Sequence, residues 1–334
     1  MLNAVPVLYY HRVGAPDPIH LSVPTALFDA QMSFLARHGW KTLTMRELVG
    51  HVTGTAPAPD RSVAITFDDG FRDNLTEALP VLRRLGFRAT VFATATVVRP
   101  DIVPPAPQMR PFTEAQKAAH AGEAGDFLSE SEFDELVAGG VDVHSHGWNH
   151  AQVFREPRIT GFYPDDDDHW AIPTAWPDRP KLKQLPIFPR SSAFVVNAWK
   201  PRTAKFTAAD GTFFQGQLLD TGWFDIETDE ERRARIREEF VRSRAYFARW
   251  HEPGCDVFCW PWGAHDDVSR AEAASAGYAA ALATSTGANL PGCDPFAINR
   301  FPVKKPGLFR FAVGLLLRGH PVLSRLYSQI RGRF

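Results

Sequence analysis

The sequence predicts an α/β protein whose parallel strands curl into a closed or nearly closed barrel. Short apolar runs rich in β-branched and aromatic residues recur along the chain, and most are separated by stretches with helical spacing. Parallel strands cannot be joined by tight turns, and helices are their usual crossovers, so this alternation favours a parallel sheet over a stack of hairpins. Length agrees: 334 residues, 44% of them hydrophobic, can bury the core that such a barrel needs.

The elements follow in order. Residues 5–10 are the first apolar run, and Phe28, Met32 and Leu35 then recur at helical spacing behind Pro24-Thr25. Residues 63–67 read as a second strand; Leu75, Leu79, Leu82 and Leu85 then share a helical face that Gly86 ends. Residues 89–93 are a third strand, Ser129 with Glu132 opens a helix as a capping box, and a strand returns at 141–144 behind Gly139-Gly140. Thr228 with Glu231 opens the clearest helix, where Ile236, Phe240, Phe247 and Trp250 share a face. Runs at 257–260, 279–283 and 297–301 complete seven strand candidates. In barrels of this kind the chemistry sits at the C-terminal ends of the strands.

Two stretches break the rhythm. Residues 100–126 are rich in Pro and Ala, and residues 151–225 are rich in Pro, Trp, Phe and Asp with little periodicity. Both read as insertions above the barrel, the second as a lid or substrate-shaping subdomain. Residues 1–305 then form one domain that carries both insertions, and 306–334 form a basic amphipathic tail. That tail holds Arg310, Arg318, Arg325, Arg331 and Arg333 with no Asp or Glu, and Phe309, Val313, Leu316 and Leu317 can share a helical face. Such a pattern suits peripheral contact with anionic lipid, and it equally suits a helix packed on the barrel as its last element.

Composition narrows the function. Lys plus Arg number 37 against 38 for Asp plus Glu, a formal net charge of −1, which supplies no broad footprint for nucleic acid. The opening MLNAVPVLYYHRV has no charged segment leading into a long apolar run, so the expectation is a cytoplasmic protein, with the tail at the inner membrane face. Cys255, Cys259 and Cys293 are an odd set without paired metal spacing and read as buried free thiols.

The chemistry gathers at two strand ends. AITFDDGF places Asp68 and Asp69 where successive side chains diverge, with Gly70 free to turn, so adjacent carboxylates can take different jobs. VDVHSHGWNH offers His146 and His150, close enough in sequence for both imidazoles to face one ion. Two imidazoles and Asp69 would make an open site for one divalent cation, Zn first, with Co, Ni or Mn as alternatives. His144 shares a strand face with His146 and reads as an extra ligand or, more simply, a packed core histidine. Asp165 to Asp168 with His169 reads as a solvated loop.

TFDDGF, then HGWNH, then WPWG followed by a helix and AGY, resemble the ordered motifs of the polysaccharide deacetylases, carbohydrate esterase family 4, over most of residues 4–303. The resemblance implies a distorted (β/α)7 barrel, a divalent ion held as Asp-His-His, and hydrolysis of N-acetyl or related acyl groups on amino sugars. On matching positions it implies Asp68 as general base and Asp69, His146 and His150 as metal ligands. The opening VLYYHRV looks like the branch whose general acid stands at the first strand, which makes His11 that acid. The family resemblance also implies the backbone N–H of Trp262 as a second oxyanion donor beside the ion.

Two departures stand out. Cys259 lies at or near the place where the family has an arginine that steadies the base, and Arg300 in AINRFPV is the candidate substitute, a plain surface arginine being the alternative. Gly147 follows His146 where Ser or Thr is common. Trp260 and Trp262 read either as walls of the acyl pocket or as core indoles. The expected activity is removal of an N-acyl group from an amino sugar, free or lipid-linked, in cell-surface polysaccharide or glycolipid assembly. The rival readings are a deformylase or another non-peptide amide hydrolase, and a silent glycan-binding module.

Overall fold

The computed structural model describes residues 4–16, 20–163, 176, 182, 184–209, 212–285, 287–303, 307–320 and 322–324. Its centre is a parallel sheet of β1 (Val7–Tyr10), β2 (Lys41–Thr42), β3 (Ser62–Asp69), β4 (Ala89–Ala93), β5 (Val141–Ser145), β6 (Val257–Cys259), β7 (Ala280–Leu282) and β8 (Phe301–Pro302). The order is β7-β6-β5-β4-β3-β1-β8, with β2 beside β3. Ile298 pairs with Leu282 of β7, and Phe301 pairs with Leu8 of β1. One short segment therefore touches both edges of the sheet and curls it into a barrel-like form, the parallel α/β architecture that the sequence predicts.

The two-residue period of the strands sorts their side chains. Leu8, Tyr10, Val63, Ile65, Phe67, Val91 and Val143 form one core with the outer helices. These include α1 (Thr25–Arg37), α3 (Leu79–Leu85) and α5 (Glu130–Ala138). Val7, Ala64, Phe92, Val257, Cys259, Leu282 and Ile298 form a second core with Leu48 and Val52 of α2 (Met45–Thr53). The inner parity carried forward reaches His11, Asp68, His146 and Arg300 at or just beyond the C-terminal strand ends. Capping boxes open α5 at Ser129 and Glu132 and open α6 (Asp229–Phe247) at Thr228 and Glu231.

Three features differ from the pattern reading. Strand β2 and helix α2 have no counterpart in it, although Thr44 and Glu47 form a capping box. Asn74–Ala78 forms a wider π-helical turn before α3. Residues 100–126 hold a helix of their own, α4 (Phe112–His120). The second insertion folds as antiparallel ribbons, Gln152–Phe154 with Arg190–Ser192, Gly161–Tyr163 with Leu185–Ile187, and Trp199–Pro201 with Phe224–Ile226. Phe154, Tyr163, Trp176, Phe188, Phe206 and Phe224 give it a separate aromatic core. The Asp165–Asp168 tract and His169 lie outside the described residues.

Helix α7 (Asp267–Ser275) follows β6, and α8 (Leu308–Gly319) closes the described chain except for four residues. Helix α8 packs on the barrel: Phe311 meets Phe34 of α1, and the Arg318 guanidinium lies 3.8 Å from the centroid of the Phe301 ring. Phe309, Val313 and Leu316 point outward with Arg310. Arg325, Arg331 and Arg333 lie outside the described residues. Among the described residues no helix is long and apolar enough to cross a membrane.

Candidate active site

Asp68 ends β3 on the inner face, buried, and Arg300 holds it: Arg300 Nη1 donates to Asp68 Oδ1 at 2.6 Å. The guanidinium is itself fixed, with Nε donating to the Ala283 carbonyl at 3.1 Å and its plane 4.5 Å from the centroid of Tyr9. Burial pushes the Asp68 carboxyl up, but the adjacent Arg300 charge and hydrogen bond outweigh it and leave the group below the usual carboxylate range. Cys259 Sγ lies 3.7 Å from the same oxygen, and burial pushes its thiol well up, so it stays a weak neutral donor.

Asp69 leaves the strand through left-handed backbone, φ 74, followed by Gly70 at φ 83. A Cβ at Gly70 would stand 2.9 Å from Ala93 Cβ, so only glycine lets β3 and β4 end this closely. Strand β5 ends at Ser145, and the His146 amide donates to the Ala93 carbonyl at 2.8 Å. His146 Nδ1 bonds the Cys259 carbonyl at 2.9 Å, which turns Nε2 toward Asp69 Oδ1, 3.5 Å away. His150 Nε2 lies 3.9 Å from the same oxygen, and its backbone is also left-handed, φ 51.

These three ligand atoms all lie within 4.8 Å of one another. Ligands at about 2.0–2.1 Å around a tetrahedral zinc stand roughly 3.3–3.4 Å apart, so the spacing observed requires small movements only. The anchored Nδ1 of His146 is the arrangement that orients a ligating imidazole. Burial pushes both imidazoles down toward the neutral form that ligation needs. Burial and the neighbouring Asp68 charge push Asp69 up to about 8, the condition of a carboxylate short of positive charge. The residues fit one divalent cation with positions left open.

His11 follows β1 and is half-buried, its ring 5.8 Å from Tyr9 and 6.4 Å from Phe112 of α4. It is near enough for its charge to act on both Asp68 and His150. Its backbone is held from the next strand end, where Asn74 Nδ2 donates to the His11 carbonyl at 3.0 Å. Arg12 Nε donates to Asp73 Oδ2 at 2.7 Å, the Val13 amide donates to Asp73 Oδ1 at 2.9 Å, and the Arg12 guanidinium covers Phe71 at 4.4 Å. The sequence reading missed this support; its signal was the Asp73-Asn74 pair directly behind DDGFR.

Trp262, left-handed at φ 63 and 47% exposed, sets its ring 4.8 Å from His150. It lines a small cleft together with Phe112 and Gln116 of α4 and with Asn149, His150 and Gln152. Trp260 is elsewhere: fully buried among Phe194, Phe240 and Phe258, it donates Nε1–H to the Phe296 carbonyl at 2.9 Å and serves as a core indole. His144 is also a packing residue, with Nδ1 accepting from the Val257 amide at 3.3 Å and its ring stacked 4.2 Å from His251.

A family model, "Polysaccharide deacetylase", matches residues 55–176, which include Asp68, Asp69, His146 and His150. The Bacillus subtilis (strain 168) protein YxkH is 28% identical over 149 residues, 45% of this chain and 44% of that protein. The poly-β-1,6-N-acetyl-D-glucosamine N-deacetylase of Escherichia coli (strain K12) is 22% identical over 283 residues, 83% of this chain and 33% of that protein. The chain thus spans less than half the length of these curated relatives. Among solved structures, a de-N-acetylase from Aggregatibacter actinomycetemcomitans superposes with a TM-score of 0.63 at 16% identity, over 93% of this chain and 99% of that one, a likeness of fold. The family-model match over residues 55–176, together with the likeness of fold, supports the polysaccharide deacetylase superfamily for this chain.

Proposed function

We propose that the protein is a metal-dependent carbohydrate N-deacetylase that removes an N-acetyl group from an amino sugar within a glycan. The observation that carries this reading is the convergence of Asp69, His146 and His150 beside a second carboxylate, Asp68, that has its own counter-charge. A divalent ion held by the three would supply Lewis acidity toward the acyl carbonyl and toward water. Zinc suits the donor set best.

The chain's own residues supply the proton chemistry. Asp68, kept ionised by Arg300, accepts a proton from water as the water oxygen bonds to the acyl carbon. The backbone N–H of Trp262 is the candidate donor to the resulting oxyanion. His11 gives a proton to the nitrogen as the C–N bond breaks, leaving a carboxylic acid and a free amino sugar. Trp262 and Phe112 offer apolar faces for a sugar ring, with Gln116, Asn149 and Gln152 beside them for its hydroxyls. The likeness to an enzyme named for poly-β-1,6-N-acetyl-D-glucosamine favours a polymeric substrate.

Colorimetric release of acetate or formate from a panel of acylated amino sugars, with and without added zinc, tests the reading. Zinc-dependent acetate release supports it; formate release alone would point to a deformylase, and bound zinc with no turnover on any sugar would leave a glycan-binding module. Access to a lipid-linked sugar rests on the outward Phe309, Val313 and Leu316 of α8, within a segment 304–334 that carries Lys and Arg but no Asp or Glu. Salt-sensitive flotation of the full chain with anionic liposomes, lost in Phe309→Ser/Leu316→Ser, is the expected result; equal flotation of both proteins would remove the membrane role.

A further inference from the structure

Between the two histidine ligands lies the short loop Gly147-Trp148-Asn149, and helix α6 grips it from outside the site. Glu239 Oε1 accepts the backbone N–H groups of both Trp148 and Asn149. One turn on, the Arg242 guanidinium lies 4.1 Å from the centroid of the Trp148 ring, and after another turn Tyr246 meets the same indole edge-on at 5.9 Å. Residues 239, 242 and 246 follow the i, i+3, i+7 spacing of one helical face, so a single face of α6 holds both the backbone and the side chain of the loop. From the barrel side the loop is tied by the Ala95 and Thr96 amides, which donate to the Gly147 and Trp148 carbonyls at 3.2 and 2.9 Å.

Gly147 is what allows this grip. Its φ is 97, and a Cβ there would stand 3.2 Å from Glu239 Oε1, so the space where a side chain would begin is taken by the carboxylate. The loop ends at His150 in left-handed backbone, a conformation that an L-residue keeps only when its surroundings fix it.

We propose that Glu239 is the positioning residue of the ligand loop: by fixing two consecutive amides it holds His150 in its left-handed conformation and so sets the affinity of the site for its cation. This rests on the metal reading under Proposed function. Glu239 is not among the three candidate ligands, and its effect runs through the geometry of His150. Groups that orient metal ligands typically contribute about 10- to 100-fold to affinity when removed.

The test is zinc affinity by competition against a chromophoric chelator, with thermal unfolding of the metal-free protein in parallel. Glu239→Ala and Glu239→Asp, the second keeping the charge on a side chain too short to reach, should both weaken zinc binding about 10- to 100-fold. The metal-free unfolding temperature should change little, because water can reach the freed amides of this half-exposed loop. Glu239→Gln keeps an acceptor oxygen in place and should restore most of the affinity. Wild-type affinity in both Ala and Asp variants overturns the proposal, as does a Gln variant as weak as Ala. If Ala does not fold, the Asp and Gln pair decides alone. Absence of zinc binding in the wild-type chain would instead overturn the metal reading on which the proposal stands.

Discussion

Asp68 and Asp69 are adjacent, both buried and both at the mouth of one barrel, yet they sit in opposite electrostatic settings. The Asp68 side carries its counter-charge within the protein: Arg300 bonds it at 2.6 Å, and both side chains are buried. The Asp69 side faces two imidazoles that burial holds neutral, and its carboxyl is pushed up to about 8. A half-turn of backbone at φ 74 separates the two settings. The difference teaches that two identical side chains acquire opposite electrostatics from their partners alone: one has a counter-charge that favours its ionised form, and the other lacks one, as the proposed cation site requires.

The largest expected effect lies on the Asp69 side. His146→Ala/His150→Ala removes two of three protein ligands, and elemental analysis should find the metal gone, with turnover down by about 10^3-fold or more, the loss of a Lewis acid's several kcal/mol. Full metal content in that double variant would dissolve the contrast between the two sides. Asp68→Asn should do the reverse, keeping the metal while turnover falls by about 10^2- to 10^4-fold, the usual cost of losing a general base.

His11→Ala separates a third role. With the metal retained, hydrolysis of an N-acetyl amino sugar should fall by about 10^2-fold or more, whereas an activated ester, whose leaving group needs no proton, should lose far less. Equal losses on amide and ester would show that His11 is not the acid.

Arg300→Leu tests whether the counter-charge creates the difference. Removing one partner of a buried pair costs about 3–5 kcal/mol of stability, so the melting temperature should drop. Turnover should fall by about 10- to 100-fold as the base loses its fixed position. The sign for pH follows from the pair: Arg300 holds the Asp68 carboxyl down, so without it that carboxyl rises and the acidic limb of the rate profile moves to higher pH. An unmoved limb in a folded variant would mean that Arg300 does not tune Asp68.

How much of this was legible depended on how local the determinant is. Barrel strands were readable because a strand buried on both faces leaves a continuous apolar run, as residues 63–67 do, and helix starts were readable because Ser129-Glu132 and Thr228-Glu231 complete their bonds within four residues. Asp68, Asp69, His146 and His150 stood out because strand ends concentrate chemistry. The ribbons of 151–225 were not readable, since their strands are three residues long and pair across long loops. Helix α2 was missed although its capping box is local. Glu239 reads in sequence as one more charge on a solvated helix face, and only tertiary packing brings it to the Trp148 amide. Trp260 and Trp262, two residues apart, separate into core and groove because Trp262 adopts a left-handed backbone that no composition signals.

The smallest effect is expected at Cys259, and it decides which residue took over the task of steadying Asp68. By the family resemblance Cys259 stands near the place of a base-steadying arginine, and its Sγ is within reach of Asp68 Oδ1 at 3.7 Å. A thiol is a weak donor, and burial pushes this one well up, so it can neither ionise nor offer the charge that keeps Asp68 ionised. Cys259→Ala therefore removes one weak hydrogen bond and a sulfur's volume from a site that Arg300 still dominates. Large-to-small changes of this size in a core cost about 1 kcal/mol, and turnover should stay within about threefold of the wild-type value. The acidic limb should not move at all. If Cys259→Ala shifts that limb as far as Arg300→Leu does, the thiol shares the orienting role, and the division of labour at the Asp68 side has to be redrawn around both residues.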